Sequence, residues 1–382
     1  MINVKKIAFV AYELNMGGTE VSLINLLSKI YNRYDITLYL FQKNGPFLSD
    51  VPKNIKIKEI FNRDDMKYIS SIDFSQLRLL DKIKVIFVRI LKKINLNLYF
   101  KLLDSKSIKY NEKYDWCVDY HGYGYYGSRY AIKYIDANYK GTFIHDEKIN
   151  WIDGILATFL KYDTFFCVSN SCKNILREKY KISVNKIKIC RNIIDIEKIK
   201  KLSLEKIDLP YESDKNILLT VGRLEHQKGY DMAIKIALKL IDNNIRFHWY
   251  IIGDGKLRNE LDRLIEDNNL NKYITLLGLK KNPYPFIKNC DLYIQPSRHE
   301  GYGIAIAEAR VLNKPIIATN LECIKEQIID NYNGLLCNFD EDSFSDSIIS
   351  LIDNKQLKNK ILSNLKNNND NDECDFVKII GD

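Results

Sequence analysis

No CxxC pair occurs among the eight cysteines, Cys117, Cys167, Cys172, Cys190, Cys290, Cys323, Cys337 and Cys374. Zinc sites and thiol redox centres with that spacing are therefore not indicated. Most of these thiols sit inside apolar runs, such as Phe165-Phe166-Cys167-Val168. They read as buried free cysteines of a reducing compartment. No stretch of about 18 uncharged apolar residues is present, so no transmembrane helix is expected. The apolar run behind Lys5 and Lys6 ends at Glu13 and has no small-residue cleavage site, unlike a secretory leader. A cytoplasmic protein is expected, resting at most on the inner face of a membrane. The dinucleotide fingerprint GxGxxG is absent from the loop after the first apolar run, where Gly17-Gly18 stands, which argues against an NAD enzyme. No solenoid period is visible, and no nucleic-acid motif accompanies the net charge of +9.

What is present is an alternation. The 382 residues suggest two domains, each able to bury a core. Ile7 to Ala11 is a continuous apolar run suited to a strand buried on both faces. Ile36 to Phe41, Asp115 to Tyr120, Thr142 to His145 and Thr164 to Val168 continue the series, with amphipathic stretches such as Val21 to Ile30 and Gln76 to Leu91 between them. A second series begins near Asn216: Ile217 to Val221, Phe247 to Ile252, Ile274 to Leu277, Leu292 to Gln295 and Ile316 to Thr319. The pattern predicts an α/β protein of two Rossmann-like, doubly wound domains, 1–200 and 201–382, facing each other across a cleft. The polar, Lys-rich boundary stretch contains Pro210, and the Asn/Asp-rich run Asn367 to Asp372 is expected to be mobile. Ligands of such sheets bind beyond the carboxyl ends of strands. Motifs that carry chemistry should therefore follow strands, and they do.

Arg298-His299-Glu300-Gly301-Tyr302-Gly303-Ile304-Ala305-Ile306-Ala307-Glu308-Ala309 follows the Leu292 to Gln295 run. Gly301 and Gly303 allow a tight turn, and a helix should begin near Gly303. Its amino end makes an anion site that a diphosphate fits. Glu308 lies one turn past Ile304 on the same face, where a carboxylate can accept hydrogen bonds from ribose hydroxyls. Glu300, in the preceding loop, would lie nearer the sugar. Val221-Gly222-Arg223-Leu224-Glu225-His226-Gln227-Lys228-Gly229 follows another strand, and Arg223 and Lys228 can converge on a pyrophosphate. Asn15-Met16-Gly17-Gly18-Thr19-Glu20 follows the first strand; Gly17 and Gly18 let backbone approach a phosphate or sugar from the opposite wall. The plainer readings remain open: a glycine turn with surface carboxylates, solvated loop cations, and a simple strand-to-helix turn.

These motifs, in this order, together with Gly253-Asp254-Gly255, Asn282-Pro283-Tyr284-Pro285-Phe286 and Lys314-Pro315-Ile316-Ile317-Ala318-Thr319, closely resemble the retaining glycosyltransferases of family four, the GT-B group of bacterial capsule, lipopolysaccharide and exopolysaccharide enzymes. The resemblance spans roughly residues 5 to 352, tightest from Asn282 to Thr319 and loosest over residues 60–115. It implies that Arg223 and Lys228 bind the diphosphate, that Glu308 holds the ribose, and that Glu300 sits beside the donor sugar. It implies that Gly18 belongs to a loop closing over the diphosphate. It also implies that His145, in Ile144-His145-Asp146-Glu147-Lys148, lies near the transferred sugar, with Asp146 placed to orient it. On this resemblance His145 and Glu300 are the catalytic residues. Gly17, Gly18, Arg223, Lys228, Gly301, Tyr302, Gly303, Ile304 and Glu308 bind the donor. No metal and no cofactor is implied. Tyr302 departs from a commoner Phe, and Asn331 from a commoner Gly. Neither change loses a charged ligand.

The implied reaction is retaining, metal-independent transfer of a hexosyl group from a nucleoside diphosphate sugar, UDP before GDP, to a saccharide acceptor that is lipid-linked. Alternatives are a nucleotide-sugar 2-epimerase of the same fold and a non-catalytic sugar-nucleotide-binding subunit of a transferase complex. Two features bear on the acceptor. Tyr120-His121-Gly122-Tyr123-Gly124-Tyr125-Tyr126-Gly127-Ser128-Arg129-Tyr130 could wall a sugar site or pack on the core. Residues 82–113 hold nine basic residues against two acidic ones, interleaved with Phe, Tyr, Leu and Ile. That stretch suits an anionic membrane surface, or a solvated helix face. No nucleic-acid partner is expected. Ser169 reads as a helix cap.

Overall fold

A computed structural model describes residues 4–65, 78–122, 125–207, 214–367 and 374–381. Pro210, Tyr123, Gly124, the side chain of Tyr125 and residues 368–372 lie outside the described residues. The first domain runs β1 (Lys6–Ala11), α1 (Gly18–Ile30), β2 (Asp35–Leu40), β3 (Lys56–Glu59), α2 (Leu79–Ile94), α3 (Leu96–Lys106), β4 (Lys113–Asp119), α4 (Tyr125–Tyr134), β5 (Asp136–Ile144), α5 (Leu156–Phe159), β6 (Thr164–Cys167), α6 (Asn170–Lys179) and β7 (Ile187–Ile189). The second runs α7 (Ile196–Leu202), β8 (Asn216–Val221), α8 (Tyr230–Asp242), β9 (Phe247–Ile252), α9 (Arg258–Asp267), β10 (Ile274–Gly278), α10 (Tyr284–Asn289), β11 (Leu292–Gln295), α11 (Ile304–Val311), β12 (Ile316–Thr319), α12 (Glu322–Lys325), β13 (Leu335–Cys337), α13 (Glu341–Asp353) and α14 (Lys355–Lys366). A last helix, α15 (Asp375–Ile380), closes the chain.

The strands form a seven-stranded sheet, β3-β2-β1-β4-β5-β6-β7, and a six-stranded sheet, β10-β9-β8-β11-β12-β13. Every strand pair is parallel. Strand order reverses beside β1 and β4 in the first sheet and beside β8 and β11 in the second. Loops leaving those neighbours diverge to opposite faces and open a crevice at the carboxyl edge. The Gly17-Gly18 loop leaves β1, the Arg223 loop leaves β8 and the Glu300 loop leaves β11, so topology brings separate motifs to the switch points.

Local chemistry explains the elements. The apolar runs of β1 and β6 are buried on both faces because helices cover both sides of a parallel sheet. Ser169 caps α6, its Oγ accepting from Cys172 N at 3.3 Å. Asp195 and Asp340 cap α7 and α13 in the same way. Seven of the eight cysteines are buried, Cys374 is half-buried, and all are free thiols.

The chain crosses between domains through α7, whose Ile199 packs in the second core, so a division at residue 200 passes through that helix. The last helix returns. Phe376 and Ile380 of α15 join the core of the first sheet, and the Phe376 ring lies 5.4 Å from Phe166 and 5.7 Å from Phe9. Residues 375–380 thus belong physically with the first domain, because the groove they fill is apolar. The Tyr-rich stretch after β4 is largely core: Tyr120, Tyr126 and Tyr130 are buried. Tyr126 and Tyr130 cannot wall an acceptor site. Their hydroxyls are held internally, Tyr126 by Ser107 Oγ at 2.8 Å and Tyr130 by Ile108 O at 2.6 Å.

Candidate functional site

The loop after β8 turns sharply because its backbone is crowded. A Cβ on Gly253 would overlap Gly222 O, and Gly253 has φ +147, a conformation open to glycine. The Tyr230 hydroxyl donates to Gly222 O at 2.8 Å and pins the turn. The loop ends at Gly229, whose φ of +69 lets α8 begin beneath it. Lys228, at the end of this loop, runs back over Gly222. Its Nζ donates to Glu300 Oε1 at 2.6 Å. Ser297 Oγ donates to the same oxygen at 2.7 Å. Gln295 Nε2 donates to Ser297 Oγ at 2.9 Å, and Tyr293 donates to Gln295 Oε1 at 2.8 Å. Glu300 is thus a buried carboxylate at the end of a hydrogen-bonded chain, neutralised by Lys228. Arg223 is exposed, with Glu225 Oε1 at 3.6 Å.

Helix α11 begins immediately after Gly303, as the sequence predicts, and Gly303 adopts φ +83. The turn before it is anchored: Gln327 donates to Tyr302 O, and Cys323 Sγ donates to Glu300 O at 3.3 Å. One turn into the helix, Glu308 is buried, and Tyr284 at the start of α10 donates to its Oε1 at 2.9 Å. Burial pushes the Glu308 carboxyl up to about 7.

Two of the places where the first domain meets this assembly are built on glycine. A Cβ on Gly18 would lie 3.3 Å from Ile304 Cδ1, so the amino end of α1 abuts the amino end of α11. A Cβ on Gly301 would overlap His145 O, so only glycine permits the loop after β5 to approach this closely. Gly18 therefore packs on the Ile304 side chain and Gly301 on the His145 backbone, while Glu300, the neighbour of Gly301, is bound by Lys228.

His145 Nε2 donates to Tyr120 O at 2.7 Å, and its ring stacks on Phe143 at 5.4 Å. Burial pushes this imidazole down to about 3, so it is neutral at physiological pH. Asp146 does not orient it, contrary to the sequence reading. Asp146 instead accepts from His299 Nδ1 at 3.0 Å and from Gln227 Nε2 at 3.3 Å. The reason is interdomain packing, which offers Asp146 two partners from the second domain. Burial opposes ionisation of Asp146, but the His299 bond and charge hold its carboxyl below the ordinary value.

One further pair is new to the sequence reading. Glu20, three residues past Gly17, folds back over the start of α1 and lies 3.3 Å from His121 Nε2. His121 Nδ1 accepts from Tyr12 N at 3.0 Å, so Nε2 carries the proton and donates. Burial works against the Glu20 charge, yet the His121 bond and, further off, the Arg223 charge hold its carboxyl below the ordinary value. Glu20 and His121 both stood in quoted motifs, but 101 residues separate them. Gly17 itself caps α1 in extended conformation. Among the described residues no group of three or more His, Cys, Asp or Glu is placed to hold a metal ion.

Set beside known proteins, residues 204–368 match the family model of the glycosyl transferases group 1. A Methanocaldococcus jannaschii protein, "Uncharacterized glycosyltransferase MJ1178", is 35% identical over 216 residues, 54% of this chain and 56% of its own. The Escherichia coli UDP-Gal:alpha-D-GlcNAc-diphosphoundecaprenol alpha-1,3-galactosyltransferase is 30% identical over 199 residues, 50% of this chain and 51% of its own. The match thus spans about half the length of these relatives. Among solved structures, Anabaena Alr3699/HepE in complex with UDP and glucose superposes with a TM-score of 0.67 at 17% identity, over 95% of this chain and 94% of that one. WaaG, a glycosyltransferase involved in lipopolysaccharide biosynthesis, gives 0.60 at 15% identity, over 94% of each chain. Both domains together have the GT-B fold.

Proposed function

We propose that this protein is a glycosyltransferase that moves a sugar from a nucleoside diphosphate sugar to a saccharide acceptor in bacterial surface-polysaccharide or lipid-linked sugar synthesis. The observation that carries the proposal is the Lys228–Glu300 pair at 2.6 Å, set beside the amino end of α11 where Gly18 of the opposite domain touches Ile304. A doubly charged diphosphate suits this place. The α11 amino end presents N–H groups and a positive dipole end. Lys228 stands within reach, and the exposed Arg223 supplies a second mobile cation. Hydrogen bonds to a charged group contribute roughly 1.5–3 kcal/mol each. The same cations stabilise the departing nucleoside diphosphate. Glu308, one turn along, receives the ribose hydroxyls once ionised. Gly17, Gly18, Gly301, Tyr302 and Gly303 keep the backbone close to the ligand.

The donor we favour is a UDP-sugar, on the strength of the UDP-bound Anabaena structure and the UDP-galactose-using relative. Transfer retains configuration in this reading. The bond from the anomeric carbon to the diphosphate breaks, the acceptor oxygen bonds from the same face, and its proton goes to the leaving diphosphate. Neutral His145 contributes a fixed dipole beside the sugar, not an acidic proton. Contact between domains at Gly301 and His145 excludes water and limits hydrolysis. The acceptor is a saccharide on a lipid carrier, as for the diphosphoundecaprenol-linked acceptor named for the E. coli relative. The part of the basic stretch 82–113 that lies on α2 then faces an anionic membrane.

A thermal-shift panel of UDP- and GDP-sugars tests the proposal, because a ligand bound only by the folded state raises its stability. We expect a UDP-sugar to raise Tm and to release UDP when a saccharide acceptor is added. A panel in which no nucleotide sugar shifts Tm would contradict it. Conversion of the donor to its C2 epimer without any acceptor would contradict the transfer step.

A further inference from the structure

Helix α2 carries an apolar face that nothing in the described structure covers. Leu79 is 75% exposed, Phe87 61% and Ile94 78%, and Ile83, Ile86 and Ile90 are exposed between them. These six recur at helical spacing, so they form one stripe along the helix. The opposite face is the anchored one. Val85 and Val88 are buried at 2% and 5%, and Val88 joins the cluster that holds Tyr99, Phe100 and Leu103 of α3. The helix is therefore mounted on the first domain by one side and offers its greasy side outward. At 100° per residue, Lys84 falls on one border of the stripe, and Lys93 on the other with Lys82 and Arg89 behind it. The helix holds five basic residues and one acidic residue, Asp81.

The basic stretch of the sequence is thereby divided. Beyond α2, Lys106 and Lys109 serve the fold. Lys106 Nζ binds Asp65 Oδ1 at 2.5 Å, and Lys109 donates to Asp104 O. Lys109 also lies over the Tyr134 ring at 5.1 Å.

We propose that α2 is an in-plane membrane anchor: its Leu79–Ile94 stripe enters the acyl boundary of an anionic leaflet while Lys84 and Lys93 on its borders meet lipid headgroups. A helix with a strong apolar face, a basic rim and too little length to cross a bilayer lies in the interface. Among the described residues no helix is long and apolar enough to span. Charge selects the occupant. A second copy of this chain would bring an equally basic helix against the first, so the two rims would repel. An anionic leaflet is complementary and gains about fivefold in partition for each cation that reaches it. The apolar stripe supplies the remainder without any partner protein. The inference deepens the lipid-carried acceptor reading and rests on it only for the purpose of the anchor; the anchoring itself requires no sugar chemistry.

Flotation of the full chain with phosphatidylcholine vesicles, and with vesicles holding about one third phosphatidylglycerol, tests it. Wild type is expected to float with the anionic vesicles and to remain in solution with the neutral ones. Lys84→Glu/Lys93→Glu should weaken anionic partition by about 30-fold or more. Ile83→Ser/Phe87→Ser/Ile90→Ser should abolish it. All these side chains are exposed, and a UDP thermal shift run on each variant reports folding and the donor site separately. Equal partition with neutral and anionic vesicles would overturn the proposal, as would undiminished flotation of the serine variant. A dimer in solution that the serine substitutions dissolve, with no vesicle binding, would assign the face to a second copy and overturn it. Flotation without any nucleotide-sugar shift would leave α2 as the anchor and count against glycosyl transfer alone.

Discussion

Burial around Glu308 raises its carboxyl to about 7, while the Tyr284 hydroxyl at 2.9 Å pulls the other way. Ribose hydroxyls donate to a carboxylate, so donor binding favours the ionised form and releases a proton. Affinity for a UDP-sugar should therefore rise up to about tenfold between pH 6 and pH 8, since the ionised fraction of such a group rises by that factor. Glu308→Gln should bind weakly at both values, which calorimetric titration would reveal. The same shift bears on stability. The folded value lies above the unfolded one, so the folded state binds the extra proton between them. That contribution is complete below about pH 4.5 and is lost as pH rises through about 7. Urea unfolding of wild type against Glu308→Gln should show a relative loss of up to about 3 kcal/mol across this window. A flat difference would remove the raised value. Lys228 is bound to a different test: Lys228→Met leaves buried Glu300 without its cation. It should destabilise by about 3–5 kcal/mol in the same urea measurement.

At the level of elements, α11 and the turn before it set the closure. Gly301 admits His145 O because it has no Cβ, so Gly301→Ala should force the loops after β5 and β11 apart. Transfer activity should fall by about 100-fold, as misplacement near 1 Å can do. Circular dichroism should remain native. The motif and the start of α11 were legible because glycine, a helix start and a carboxylate one turn on all lie within one short stretch. Less was legible elsewhere. Strand β3, Lys56-Ile57-Lys58-Glu59, is a short edge strand with three charged residues of four, and no apolar run announces it. Strands β7 and β13 are three residues each, too short for a period. The first half of β5, Asp136 to Lys140, reads as polar, and only its buried end is visible in the sequence. Contacts between distant segments were hidden too. Asp146 and His299 are 153 residues apart, and only the docking of the two domains makes them a pair.

Over the whole molecule, the two sheets are tied by more than the α7 crossing. Helix α15 brings the end of the chain back to the first core, where Phe376 sits 6.2 Å from Phe143 and 5.4 Å from Phe166. Phe376→Ala should cost the first domain about 3–5 kcal/mol. Hydrogen exchange would localise the loss: amides of β1, β5 and β6 should exchange faster while those of β8 and β11 keep their protection. The tie matters for the proposed function because the motifs proposed to hold the donor lie on one domain and Gly18 and His145 on the other. Convergence of these residues on one diphosphate requires that the donor bind. Isothermal titration of UDP into wild type, Arg223→Ala and Lys228→Ala is the most direct measurement. Wild type is expected to bind saturably, and each variant to lose about ten- to hundredfold in affinity, the worth of one charged hydrogen bond. Equal affinity in all three proteins, or no binding by wild type, would contradict that convergence.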